Sequence, residues 1–135
     1  MSVTAKNAET EHQIQTAVIQ WWAMTCHFFG LSEKILFAIP NGGARHVLTG
    51  KKLKAEGVRS GVPDMMLAAP NDRYNGLFIE LKKPKGRATK AQLEYIQLLR
   101  EQGYYTAITY GFEDTINMIS SYLRGIPPYV DSEEM

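Results

Sequence analysis

Apolar positions repeat every three or four residues in three stretches of the chain, and run as short blocks between them. Over residues 10–29, Ile14, Val18, Trp21, Thr25 and Phe28 keep to one helical face, and Gly30 supplies a stop. Thr10 and Gln13 have the spacing of a capping box. A second helix is expected over 89–102, where Leu93, Ile96 and Leu99 recur, Thr89 and Gln92 again have capping-box spacing, and Gly103 closes the turn. The third covers 112–123, with Phe112, Ile116, Ile119 and Leu123 on one face. The blocks at 34–39, 64–69, 77–82 and 104–110 are too short for helices and read as strands. Pro70 to Gly76 is turn-rich and joins two of them as a hairpin. Residues 44–56 form a weaker, basic helix broken near Gly50, and 57–63 a loop. The order αβ(α)ββαβα defines an α/β domain, a central sheet flanked by helices.

Composition narrows the class. The 135 residues fit one domain, with a core over about 10–124 and tails at 1–8 and 126–135. An apolar fraction of 44% is that of a globular protein. The single cysteine, Cys26, excludes an internal disulfide and a cysteine-rich zinc site, and suits a reducing, cytoplasmic setting. Residues 1–15 lack the apolar segment of a signal peptide, and no window reaches the length of a membrane span. Net charge is only +1, yet most of the 15 Lys and Arg residues fall in two segments. Arg45, Lys51, Lys52, Lys54 and Arg59 make one; Lys82, Lys83, Lys85, Arg87 and Lys90 make the other. Clustering of this kind fits a phosphate backbone, although a solvated face gives the same pattern.

The two basic segments flank two acids. A hairpin whose register centres on Asp72 sets Asp64 directly opposite Glu80, where opposed side chains lie about 4.5–5.5 Å apart at Cβ. Two carboxylates so close repel unless one is protonated or a cation lies between them. Mg²⁺ is commonly held by one or two carboxylates, with waters and substrate phosphate completing the shell. Lys82 shares the face of Glu80, and Leu81 points away. Two facing carboxylates, a lysine and a basic surround suit phosphodiester hydrolysis; a solvent-exposed hairpin would also fit the Glu-x-Lys pattern alone. Glu11 enters the apolar stripe of the first helix, with Gln15 one turn on. It suits either a site carboxylate or a partner for the helix dipole. Elsewhere the signals are weak. Cys26-His27 lacks further ligands at metal spacing, "TGKK" at 49–52 lacks the P-loop glycine and hydroxyl, and Tyr104, Tyr105 and Tyr110 fit a strand better than a base-stacking platform.

Pro63-Asp64, fifteen intervening residues, then Glu80-Leu81-Lys82 resembles the PD-(D/E)XK nuclease signature. Together with Glu11 and Gln15, "PNGG" at 40–43, "EGVRSGVPDMML" at 56–67, "FIELKK" at 78–83 and Gln92, the chain resembles the virus-type replication-repair nuclease (VRR-NUC) domain over about 10–124. The resemblance implies a restriction-endonuclease-like core and a Mg²⁺- or Mn²⁺-dependent deoxyribonuclease. It implies that Asp64, Glu80 and the Leu81 carbonyl bind metal, that Lys82 is the catalytic lysine, and that Glu11 and Gln92 belong to the active site. Asn41, Arg45, Lys51, Lys52, Lys83, Lys85 and Arg87 would contact DNA. The standalone form of the family resembles Holliday-junction resolvases of phages and bacteria. That implies branched or four-way DNA as partner, a homodimer, and the cytoplasm of a bacterial or phage-infected cell. Trp21, Trp22 and Phe28 would serve either the dimer interface or the core. A nuclease of flap or duplex DNA, and a non-catalytic DNA-binding module on the same fold, are the alternatives.

Overall fold

A computed structural model describes residues 9–40 and 47–125, with the backbone alone at 47–49. Asn41, Arg45 and the rest of the PNGG loop after Pro40 lie outside these residues, as do both expected tails, 1–8 and 126–135. Among the described residues the α-helices are α1 (Glu11–Thr25), α2 (Val47–Ala55), α3 (Lys90–Glu101) and α4 (Phe112–Arg124). The strands are β1 (Leu36–Ala38), β2 (Met65–Leu67), β3 (Leu77–Lys82) and β4 (Tyr105–Tyr110).

Both capping boxes form. Thr10 Oγ1 accepts the Gln13 N–H at 3.0 Å while Gln13 Oε1 accepts the Thr10 N–H at 2.8 Å, and Thr89 and Gln92 repeat the exchange at 3.1 and 2.8 Å. The first helix is shorter than its apolar stripe suggests. After Thr25 the chain tightens into a 3₁₀ turn, Cys26–Phe29, closed by Gly30 at φ 71°. That change of pitch carries Phe28 off the stripe and into solvent, 77% exposed. Trp22, four residues beyond Val18, takes the core position instead of Trp21, and its Nε1–H donates to the Glu33 carbonyl at 3.1 Å. β1 is also shorter than expected, because Ser32 caps a 3₁₀ turn over Glu33–Ile35.

The strands lie in the order β1-β2-β3-β4, antiparallel up to β3 and parallel between β3 and β4. α3 makes the crossover that a parallel pair requires. The hairpin pairs Met65 with Ile79, Met66 with Phe78 and Leu67 with Leu77; each pair averages 72, which is the expected register. Core burial fixes it. Leu77, Ile79 and Leu81 face Ile14, Val18 and Trp22 of α1 and Ile119 and Tyr122 of α4. Each fully buried Leu or Ile is worth about 1.5–3 kcal/mol, and a slip by one residue would turn this whole set out and Glu80 in. α3 covers the opposite face through Ile96, and its Arg100 donates to the Thr106 carbonyl at 2.8 Å. The central strand β3 is thus buried on both sides.

Candidate active site

Asp64 immediately precedes β2, and its backbone is held from both flanks. Its N–H donates to the Ile79 carbonyl at 2.9 Å, and its carbonyl accepts the Ile39 N–H at 2.8 Å. The side chain continues the ladder that β2 has left: Asp64 Oδ2 accepts the Leu81 N–H at 2.7 Å. In an extended strand the N–H and C=O of one residue leave on the same edge, and the edges alternate. The Leu81 carbonyl therefore leaves on the Asp64 side. Lys82 turns the other way and accepts the Gly111 N–H at 2.9 Å.

Glu80 is 2% exposed, and its two oxygens differ. Oε2 accepts the Gln92 Nε2–H at 2.8 Å and lies 3.3 Å from Lys82 Nζ. Oε1 is buried and has no hydrogen-bond partner among the described residues. Gln92 is committed twice: Oε1 caps its own helix and Nε2 fixes the carboxylate. Gln92 thus caps its helix and holds the Glu80 carboxylate at once. Lys82 is also buried, where a charge needs a partner, and Glu80 supplies one.

Electrostatics mark the place. Burial, and then the neighbouring Asp64 charge, push the Glu80 carboxyl up to about 7, with Lys82 pulling the other way. Asp64 is raised as well, first by burial; the Leu81 N–H opposes this and the Glu11 charge adds to it. Three carboxylates thus press on one small volume. Glu11 is the first residue of α1 and exposed. With Asp64 it borders a cleft of about 460 Å³ whose wall includes His12, Gln15, Thr16, Ile19 and Gln20. His12, Thr16 and Gln20 were not singled out in the sequence, although their i, i+4 spacing beside Glu11 and Gln15 is the pattern of one helix edge. No group of three His, Cys, Asp or Glu side chains able to hold a metal occurs among the described residues. Two carboxylates and a carbonyl still suit Mg²⁺ or Mn²⁺, which take oxygen donors and keep several waters. The orphaned Glu80 Oε1, beside a second acid, is the feature such a cation would satisfy.

The expected DNA contacts are placed less closely. Lys51 and Lys52 are exposed on α2, and Lys83, Lys85 and Arg87 are exposed on the turn after β3. None of the five has an ion-pair partner among the described residues. Their charge is free to meet phosphate.

The VRR-NUC domain family model matches residues 4–113, and the chain belongs to that family. A solved structure described as a VRR_NUC domain protein superposes with a TM-score of 0.73 at 27% identity, covering 87% of this chain and 90% of that one. No curated protein matches the chain. Nuclease-type function and DNA binding follow from the family. No helix among the described residues is long and apolar enough to cross a membrane.

Proposed function

We propose that the chain is a metal-dependent, structure-selective DNA endonuclease that hydrolyses phosphodiester bonds in branched DNA, as a Holliday-junction resolvase does. The observation that carries this is the buried Glu80 Oε1, without a hydrogen-bond partner among the described residues, near Asp64 and with Lys82 on the same face of β3. Asp64, Glu80 and the Leu81 carbonyl would hold Mg²⁺ or Mn²⁺. When bound, the metal supplies Lewis acidity toward the phosphoryl oxygen and a more acidic water.

The chain's own groups do the rest. Gln92 locks Glu80 in one rotamer through the 2.8 Å hydrogen bond. Lys82 Nζ, held at Glu80, keeps N–H donors for the attacking water and for charge developing on the phosphoryl group. Glu11 faces the cleft at Asp64 and reaches the water directly or through a second water. Water adds to phosphorus and gives up one proton to solvent, one P–O bond breaks, and the departing oxygen takes one proton from solvent, so one water is consumed for each bond cut. Asn41 and Arg45, with Lys51, Lys52, Lys83, Lys85 and Arg87, are proposed to hold the DNA backbone.

Symmetric cutting of a four-way junction needs two sites, so the working form is proposed to be a homodimer in the cytoplasm of a bacterial or phage-infected cell. Phe28 and the half-buried Trp21 remain interface candidates, whereas Trp22 belongs to the core. The test compares four-way, splayed-arm, flap and duplex DNA with Mg²⁺, with Mn²⁺ and with chelator. Paired nicks across the junction, lost with chelator, are expected. Cutting of flaps or duplex instead would remove the junction assignment. Binding without cutting would leave a DNA-binding module.

A further inference from the structure

Two hollows of different character are lined by residues close to Asp64 in the chain or bonded to it. The cleft that Asp64 and α1 border is walled largely by polar side chains. A groove of about 290 Å³ is lined by Ile39, Pro40, Val58, Val62 and Tyr95. We propose that this groove receives the unstacked base of the nucleotide next to the scissile phosphate. The proposal rests on the nuclease reading above.

Position is the first argument. Ile39 donates its N–H to the Asp64 carbonyl, and Val62 precedes Asp64 by two residues. Tyr95 lies one turn beyond Gln92 on the same face of α3, and Gln92 holds Glu80. Three walls of the groove are thus joined, by a backbone hydrogen bond or by one helical turn or less of chain, to the residues that carry the chemistry.

Its chemistry is the second argument. A ring, a proline and aliphatic side chains make a surface on which any base can lie, since every base has a π face. Arg59 and Glu56 also border the groove and offer a donor and an acceptor to a base edge. Its volume lies at the small end of ligand pockets, which admits a single planar ring system and not a base pair. The basic residues Lys52 and Lys54 of α2 stand near in sequence for the backbone of the same strand.

The groove is also built in advance. Gly57, at φ 101°, ends α2 in a Schellman motif: its N–H bonds the Lys54 carbonyl at 3.0 Å and the Val58 N–H bonds the Leu53 carbonyl at 3.0 Å. This fixes Val58. Gly61, at φ 87°, brings the next turn so close to α3 that a Cβ there would sit 2.6 Å from the Ala91 carbonyl oxygen. This fixes Val62 against the helix that bears Tyr95. A base stacked in a duplex cannot reach such a site without leaving its neighbours, and an unpaired base at a branch can. The groove would therefore supply selectivity for branched DNA without reading sequence.

The test measures binding in chelator, so that no strand is cut. Four-way and splayed-arm DNA carry 2-aminopurine, and in a second set an abasic residue, at successive positions around the branch. With wild-type protein and with Tyr95→Phe, one position should change its 2-aminopurine emission on binding. An abasic residue at that position should weaken binding about tenfold. Tyr95→Ala, checked for folding by its circular dichroism, should bind abasic and normal DNA alike. No abasic penalty at any position in wild type would overturn the proposal, and that scan decides the matter even if Tyr95→Ala fails to fold. An undiminished penalty in folded Tyr95→Ala would also overturn it. Absence of cutting in Mg²⁺ with the penalty intact would refute the nuclease reading and leave the groove standing; cutting with no penalty would do the reverse.

Discussion

The carboxylate of Glu80 has one oxygen shared between Gln92 and Lys82 and the other without a hydrogen-bond partner among the described residues. Without a cation this is an unfavourable group to ionise, and the consequence for stability has a definite sign. The folded protein holds the Glu80 proton up to about pH 7, and the ordinary value is 4.5. Between those pH values the folded state binds more protons than the unfolded state, so stability falls as pH rises. In chelator, wild type should therefore be less stable at pH 8 than at pH 4.5, by up to about 3 kcal/mol from Glu80. The Asp64 shift adds in the same direction. Denaturant unfolding should show Glu80→Gln with a markedly flatter profile, and millimolar Mn²⁺ at pH 8 should restore wild type and not the variant. A second residue carries strain in plain view. Lys83 to Gly86 form a turn closed by the Gly86 N–H to the Lys83 carbonyl at 2.8 Å, with Pro84 second and Lys85 third at φ 71°. A type II turn wants glycine at that third position. Lys85→Gly should raise stability by about 0.5–1 kcal/mol, after the extra freedom of the unfolded chain is counted. It should also reduce the salt slope of DNA binding by about one. Retaining a lysine at such a site fits a contact with phosphate.

At the scale of elements, the hairpin and the third helix together make the site. The register of the hairpin that carries Asp64 and Glu80 was legible because Pro70 to Gly76 is a clear turn and the apolar alternation on both strands allows one register. The observed ladder has that register. The helix starts were legible for a similar local reason, since a capping box needs two residues three apart. The double use of Gln92 was not legible, because the bond to Glu80 depends on how α3 lies across β3. The ends of α1 and β1 also escaped the sequence. The 3₁₀ turns at Cys26–Phe29 and Glu33–Ile35 are set by Gly30, by the Ser32 cap and by the Trp22 bond to Glu33, and none of these alters hydrophobic periodicity. The cap on α3 can be tested. Thr89→Ala should cost about 1 kcal/mol of stability. By loosening Gln92 it should also lower cleavage several-fold at limiting metal, and Thr89→Ser, which keeps the hydroxyl, should recover both.

On the scale of the molecule, one sheet face is sealed by α1 and α4 around Trp22 and Tyr122, and the other is closed by α3. The N-terminal residues of α1 and α3, Glu11 and Gln92, come to the same end of the sheet as Asp64. Lys51, Lys52 and Lys54 of one basic segment, and Lys83, Lys85, Arg87 and Lys90 of the other, are exposed, whereas Lys82 is buried at the site. Small net charge with local clustering favours phosphate binding that salt weakens steeply: affinity for branched DNA should fall by orders of magnitude between about 50 and 200 mM salt if six or more phosphates are engaged. Fluorescence anisotropy in chelator would measure this.

The central claim is that Asp64 and Glu80 hold a divalent ion for phosphodiester hydrolysis beside Lys82. It is tested most directly by single-turnover cleavage of end-labelled four-way DNA at pH 8 with Mn²⁺ or Mg²⁺, comparing wild type with folded Asp64→Asn, Glu80→Gln and Lys82→Ala. Metal-dependent cleavage by wild type, lost in chelator and reduced at least a hundredfold in each variant, is the predicted result. Cleavage that survives in chelator, or in all three variants, would contradict the account.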